Sequence, residues 1–153
     1  MAVAHTFEHV SGGERFGKKL YAGSTTIEPG ILVRLASGSL LGIAGASDQP
    51  FGFAYGLRYS VYRPTSKFFA LGEAMAVVQG VGKVLASPEF FIAGTAPADS
   101  AILYAAAGGL MDITGTYKVG FAIRTEVRID PTGGTGTNQN VTLIQFNLPV
   151  TYT

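Results

Sequence analysis

The sequence predicts an all-β fold: a small β-barrel or β-sandwich built from two similar halves, with an extended N-terminal arm. Three observations carry this. Apolar residues occur in short bursts bounded by Gly, Pro, Ser, Asp or Asn, a strand pattern rather than a 3.6-residue helical period. Alternation is clearest in Lys118-Val119-Gly120-Phe121-Ala122-Ile123-Arg124 and in Val141-Thr142-Leu143-Ile144-Gln145-Phe146, where successive side chains face opposite sides of a sheet and the second strand, apolar on both sides, could be buried on both faces. Finally, the segment Pro29 to Leu40 followed by Phe51-Gly52-Phe53-Ala54 returns as Asp99 to Leu110 followed by Val119-Gly120-Phe121-Ala122. Gly38 then matches Gly108 at an offset of 70, and Gly52 matches Gly120 at an offset of 68.

Residues 1–17 mix polar side chains with Gly12, Gly13 and Gly17 and hold no period, so they are expected to be an extended arm that orders against a neighbour. Residues 18–153 are expected to form a single β-domain. Candidate strands follow at Lys19 to Ala22, Ile31 to Leu35, Leu40 to Ala44, Phe51 to Tyr55, Ala74 to Gln79 and Lys83 to Ala86. The Gly80-Val81-Gly82 stretch between the last two reads as a hairpin turn tolerant of positive φ. Ala101 to Ala105, Tyr117 to Ile129 and Val141 to Leu148 complete the set. Short helices could start at Ser87-Pro88-Glu89 or Pro97-Ala98-Asp99, where a proline meets an acidic residue. Residues 130–140 carry Pro131 and the run GGTGTNQN, and read as a loop without large apolar side chains. In the paired halves, Gly52 and Gly120 are expected to mark bulges or tight crossings.

Composition narrows the function. Of 153 residues, 47% are apolar and only 14% charged, against about 25% in an average soluble domain. Eleven basic and ten acidic residues leave a net charge of +1, too little to draw nucleic acid or an anionic membrane by its field. A surface so sparsely charged suits a subunit of an assembly. Cysteine is absent, which removes disulfides, thiolate metal sites and thiol nucleophiles. The longest apolar run, Ala101 to Met111, falls well short of the about 20 residues of a spanning helix, and the N-terminus shows no secretory signal.

No nucleophile elbow, zinc-protease, calcium-loop or phosphate-loop sequence is present, and no catalytic residue, metal or cofactor is expected. His5 and His9 would share a face only on a helix, which Gly12 and Gly13 disfavour. A glycosidase-like pair would require two of Glu73, Glu126 and Asp112 to converge in space. The most distinctive polar stretch is GLRYSVYRPTSK, residues 56–67, in which Arg58, Tyr59, Tyr62 and Arg63 combine contact area with hydrogen bonding, the chemistry of interface anchors. With Phe7 and Phe16 of the arm, these four are the candidate protein-contact residues.

Pro29-Gly30-Ile31-Leu32-Val33 with Gly38, Phe51-Gly52-Phe53-Ala54, Gly72-Glu73-Ala74-Met75-Ala76-Val77-Val78-Gln79-Gly80, and Gly108 with Val119-Gly120-Phe121-Ala122 together resemble the capsid decoration (cement) proteins of tailed bacteriophages. The resemblance spans roughly Glu28 to Ile123; the 56–67 stretch and the GGTGTNQN loop depart from it. It implies a non-enzymatic virion protein made in the bacterial cytoplasm and carried on the outer capsid surface. Its partners would be the major capsid protein and copies of itself, as trimers or dimers, with neither nucleic acid nor membrane. Deleting residues 1–17 is expected to weaken attachment and leave the domain folded. The competing expectations are another virion part, such as a tail-tube or neck protein, and a carbohydrate-binding β-sandwich, the latter disfavoured by the absence of tryptophan.

Overall fold

The computed structural model describes residues 7–15, 20–55, 67–128 and 139–148. Within them the chain is nearly all β. Ten strands form one sheet: β1 (Phe7–Arg15), β2 (Leu20–Ala22), β3 (Leu32–Ser37), β4 (Leu40–Ile43), β5 (Gly52–Tyr55), β6 (Ala74–Ala86), β7 (Ile102–Ala105), β8 (Met111–Asp112), β9 (Lys118–Arg128) and β10 (Gln139–Leu148). Five of them close into a barrel in the ring order β2, β4, β3, β5, β6, because β6 pairs with β2 as well as with β5. Beyond the barrel, β6 continues as the spine of an outer sheet, with β1 on one edge and β10, β9, β7 and β8 on the other. No helix among the described residues is long and apolar enough to cross a membrane.

Alternation explains how the barrel fills. Val33 pairs with Ile43, Leu35 with Leu41, Ala54 with Val77 and Leu20 with Met75, and paired residues share a face. Most of these side chains are fully buried, and Leu35 and Ile43 pack against the same core. The alternate positions on the barrel strands point outward: Arg34 and Tyr55 are half-buried there, whereas Leu32, Phe53 and Val78 are buried beneath other parts of the chain.

Three expectations need correction. Gly80-Val81-Gly82 is not a hairpin turn, since β6 runs straight through it. A Cβ at Gly82 would lie 2.5 Å from the Ser11 carbonyl oxygen, and the β1 register shifts between Gly12 and Glu14. The glycine therefore answers a close crossing of β1 over β6 at a bulge. Next, much of the expected arm belongs to the domain: Phe7–Arg15 is β1, paired antiparallel with β6 of the same chain. Last, Pro97-Ala98-Asp99 opens no helix, whereas Pro88–Phe90 makes a single 3-10 turn after Ser87.

The internal repeat is carried in the hydrogen-bond register. Leu32 pairs with Phe53 and Val33 with Gly52; correspondingly, Ile102 pairs with Phe121 and Leu103 with Gly120. The hairpins agree as well, with Arg34 opposite Gly42 and Leu35 opposite Leu41 in one, and Tyr104 opposite Asp112 and Ala105 opposite Met111 in the other. Bonds just outside the strands repeat too. The Ala54 amide donates to the Ile31 carbonyl and the Ala122 amide to the Ala101 carbonyl, both at 2.9 Å, while Gly30 and Ser100 donate to Ala54 and Ala122, both at 2.7 Å.

A fourth strand completes each unit: Phe53 and Ala54 pair with Val78 and Val77, and Phe121 and Ala122 pair with Gln145 and Ile144. The unit β3-β4-β5-β6 thus recurs as β7-β8-β9-β10. Its equivalent last strands, β6 and β10, lie side by side and antiparallel, as two-fold-related copies would. Gly52 and Gly120 are the tight crossings, since a Cβ on either would strike the carbonyl oxygen of Val78 or Gln145 respectively.

Candidate functional site

The two units differ in what covers them. In the first, the cross-strand row Leu32, Phe53, Val78 is 0%, 0% and 2% exposed. Phe53 meets Phe7 of β1 at a ring-centroid distance of 5.4 Å and Phe146 of β10 at 5.6 Å, and Phe90 closes on Phe7 at 5.5 Å. In the second unit the same row is Ile102, Phe121, Gln145, with Ile102 43% and Phe121 44% exposed. Val81, also exposed, joins them around a shallow depression of about 340 Å³ flanked by Lys118 and Asn147.

A second difference lies at the closing strand. In the first unit the Gly72 amide donates to the Ala22 carbonyl (2.7 Å), the Ala22 amide to the Glu73 carbonyl (2.8 Å), and the Phe69 amide to the Ile27 carbonyl (2.8 Å). This draws the segment before β6 across residues 22–27 and buries Phe69 and Ile27 in the core. The Gly23 amide bonds the Leu41 carbonyl just as the Ile92 amide bonds the Met111 carbonyl, so Phe91 stands where Ala22 stood. Phe91, however, bonds locally: its amide donates to the Pro88 carbonyl and its carbonyl accepts from Gly94. Beside it lies a second depression of about 400 Å³, lined by Phe91, Pro97, Ala101, Met111 and Ile113 among others. Ile102 borders both depressions, so the exposed apolar surface is continuous from Ile113 to Val81.

Polar chemistry is dispersed among the described residues. A Glu73 carboxylate oxygen accepts from the Ala70 amide at 3.0 Å, Asp112 accepts from the Ile113 amide at 2.7 Å, and Glu126 pairs with Arg124 at 2.7 Å. Each is engaged in its own neighbourhood on a different strand or strand end. His9 donates from its ring to the Gly12 carbonyl and lies edge-on to Tyr55, with ring centroids 6.1 Å apart. No group of three His, Cys, Asp or Glu side chains able to hold a metal occurs among the described residues.

Of the contact residues expected from sequence, Arg58, Tyr59, Tyr62, Arg63 and Phe16 lie outside the described residues. Phe7 is half-buried and, instead of being offered to a partner, covers Phe53 of its own chain, because Phe53 projects from the outer face of the barrel and needs a lid. The apolar residues brought together in the second unit were missed. One sequence signal bears on them: the register that aligns β6 with β10 replaces Val78 by Gln145, a polar member in an otherwise apolar row. Compared with protein-family models, curated proteins and solved structures, the chain finds no match.

Proposed function

We propose that this chain is a non-enzymatic structural subunit of a virion that binds and reinforces the outer surface of a bacteriophage capsid shell. The observation that carries the reading is the continuous apolar surface of the second unit, from Ile113 through Ile102 and Phe121 to Val81. Large apolar side chains gathered on one face, next to few charges, are what an association surface presents before its partner arrives. The first unit supports this by contrast, since the chain covers the equivalent row with its own phenylalanines. The resemblance to capsid decoration proteins supplies the identity of the partner, the major capsid protein, and the expectation of trimers or dimers.

The test is to fix the solution mass by light scattering, mix the protein with phage shells and sediment them. Co-sedimentation at fixed stoichiometry supports the reading. Protein that stays in the supernatant with every shell contradicts it, and ring-shaped assemblies in electron micrographs would point to a tail-tube or neck component instead.

A further inference from the structure

The exposed face of the second unit gathers charge of one sign beside its apolar residues. Ile102 opposes Phe121, Phe121 opposes Gln145 and Gln145 opposes Lys83, so the four share one row on the outer face of the sheet. In the next row Asn147 opposes Val81. The reverse face of these strands holds Leu103, Val119, Ile144 and Val84, each 0% exposed. Lys118 joins Val81, Ile102 and Phe121 around the depression of about 340 Å³, and no carboxylate among the described residues lines it.

The other lysines and arginines whose side chains are described have acidic partners. Arg34 lies 3.5 Å from Asp48, Lys67 3.3 Å from Glu28 and Arg124 2.7 Å from Glu126. Among the described residues, Lys83 and Lys118 pair with no carboxylate. Glu8, opposite Leu85 on β6, and Asp112, opposite Tyr104 on β7, bond with neither. Two open cations next to exposed Ile102 and Phe121 favour a partner that brings negative charge to an apolar contact.

We propose that this depression binds a segment of a partner protein that inserts an apolar side chain between Val81, Ile102 and Phe121 and sets carboxylates against Lys118 and Lys83. Gln145 and Asn147, each able to donate and accept, hydrogen-bond the backbone of that segment. The proposal rests on the association surface of the functional reading and adds the chemistry of what binds there, acidic as well as apolar. Two lysines around an apolar centre make no phosphate-tracking stripe, which places a protein ahead of a nucleic acid.

The probe is a set of three short peptides capped at both ends, Glu-Phe-Asp, Gln-Phe-Asn and Lys-Phe-Lys, titrated into the full chain while backbone amide signals are followed by NMR. Saturable shifts centred on Val81, Ile102, Phe121 and Gln145 are expected with the acidic peptide. The neutral peptide should bind about three- to tenfold more weakly, the worth of two exposed ion pairs, and the basic peptide more weakly still. Added salt should shrink the difference. The Lys83→Gln/Lys118→Gln double variant should abolish it at an unchanged melting temperature, and Lys118→Gln alone, at an exposed position, should remove part of it. No saturable shifts, shifts centred elsewhere, equal binding of the three peptides, or an acidic preference that survives the double variant would each overturn the proposal. So would tighter binding of a single-stranded oligonucleotide at the same residues, or self-association there that makes a second copy the occupant. Acid-selective binding without shell co-sedimentation keeps this site and removes the capsid; co-sedimentation unaffected by the double variant keeps the capsid and removes the site.

Discussion

In the first unit Leu32, Phe53 and Val78 are buried, with Phe53 against Phe7 and Phe146, whereas in the second Ile102 and Phe121 are exposed in the same strand pattern. Burying a side chain such as Ile or Phe contributes about 1.5–3 kcal/mol. The first unit takes that stabilisation within the chain, whereas the second leaves Ile102 and Phe121 exposed. Among the described residues one β-unit thus occurs twice, once with its outer row buried and once with Ile102 and Phe121 of that row exposed.

Removing the cover of the first unit should have the largest effect. Deleting residues 1–17 strips β1 from the edge of β6 and Phe7 from Phe53 and Phe90, so the expectation that the truncated domain stays intact is revised. Thermal unfolding followed by circular dichroism should show a loss of about 3–5 kcal/mol or more, as for a large aromatic taken from a core. An unchanged melting temperature would mean that β1 contributes nothing to the sheet.

A matched pair of substitutions sharpens the comparison. Phe53→Ala should cost about 3–5 kcal/mol in urea unfolding. Phe121→Ala, at the equivalent exposed position, should stay within about 0.5 kcal/mol. Equal losses would show that the second row is covered as well.

The tight crossings should not distinguish the halves. Gly52→Ala and Gly120→Ala each drive a Cβ into a carbonyl oxygen of the neighbouring strand and should destabilise by about 1–3 kcal/mol apiece. A harmless change at one site only would break the equivalence of the units. The smallest effect belongs to Ser100, at φ 68° in a position that Gly30 holds in the first unit at φ 103°. Ser100→Gly should stabilise by less than about 1 kcal/mol, relief of left-handed strain offset by the greater freedom of glycine when unfolded.

The class of fold and its two halves were legible in the sequence because both follow from local signals: alternation, glycine-bounded bursts, and the recurring pattern around Gly52 and Gly120. Closure of the barrel was not, since it rests on β2 meeting β6 across residues distant in sequence, Leu20 with Met75. Gly80 and Gly82 misled because a glycine at positive φ inside a strand, or one under a crossing strand, looks the same in sequence as one required by a turn. The open face was illegible for a related reason: Leu32 and Ile102, or Phe53 and Phe121, are alike as residues, and only the presence of Phe7 over one row and not the other sets them apart. The sequence drew attention instead to Arg58, Tyr59, Tyr62 and Arg63, whose place relative to this face lies outside the described residues.

The most direct test of the association face is to compare shell binding by the wild-type chain and the Ile102→Asp/Phe121→Asp double variant, with thermal unfolding measured on both. The account predicts that the wild type sediments with shells while the variant stays in the supernatant, at nearly the same melting temperature. A variant that sediments as well as the wild type, or one that unfolds far earlier, would contradict it.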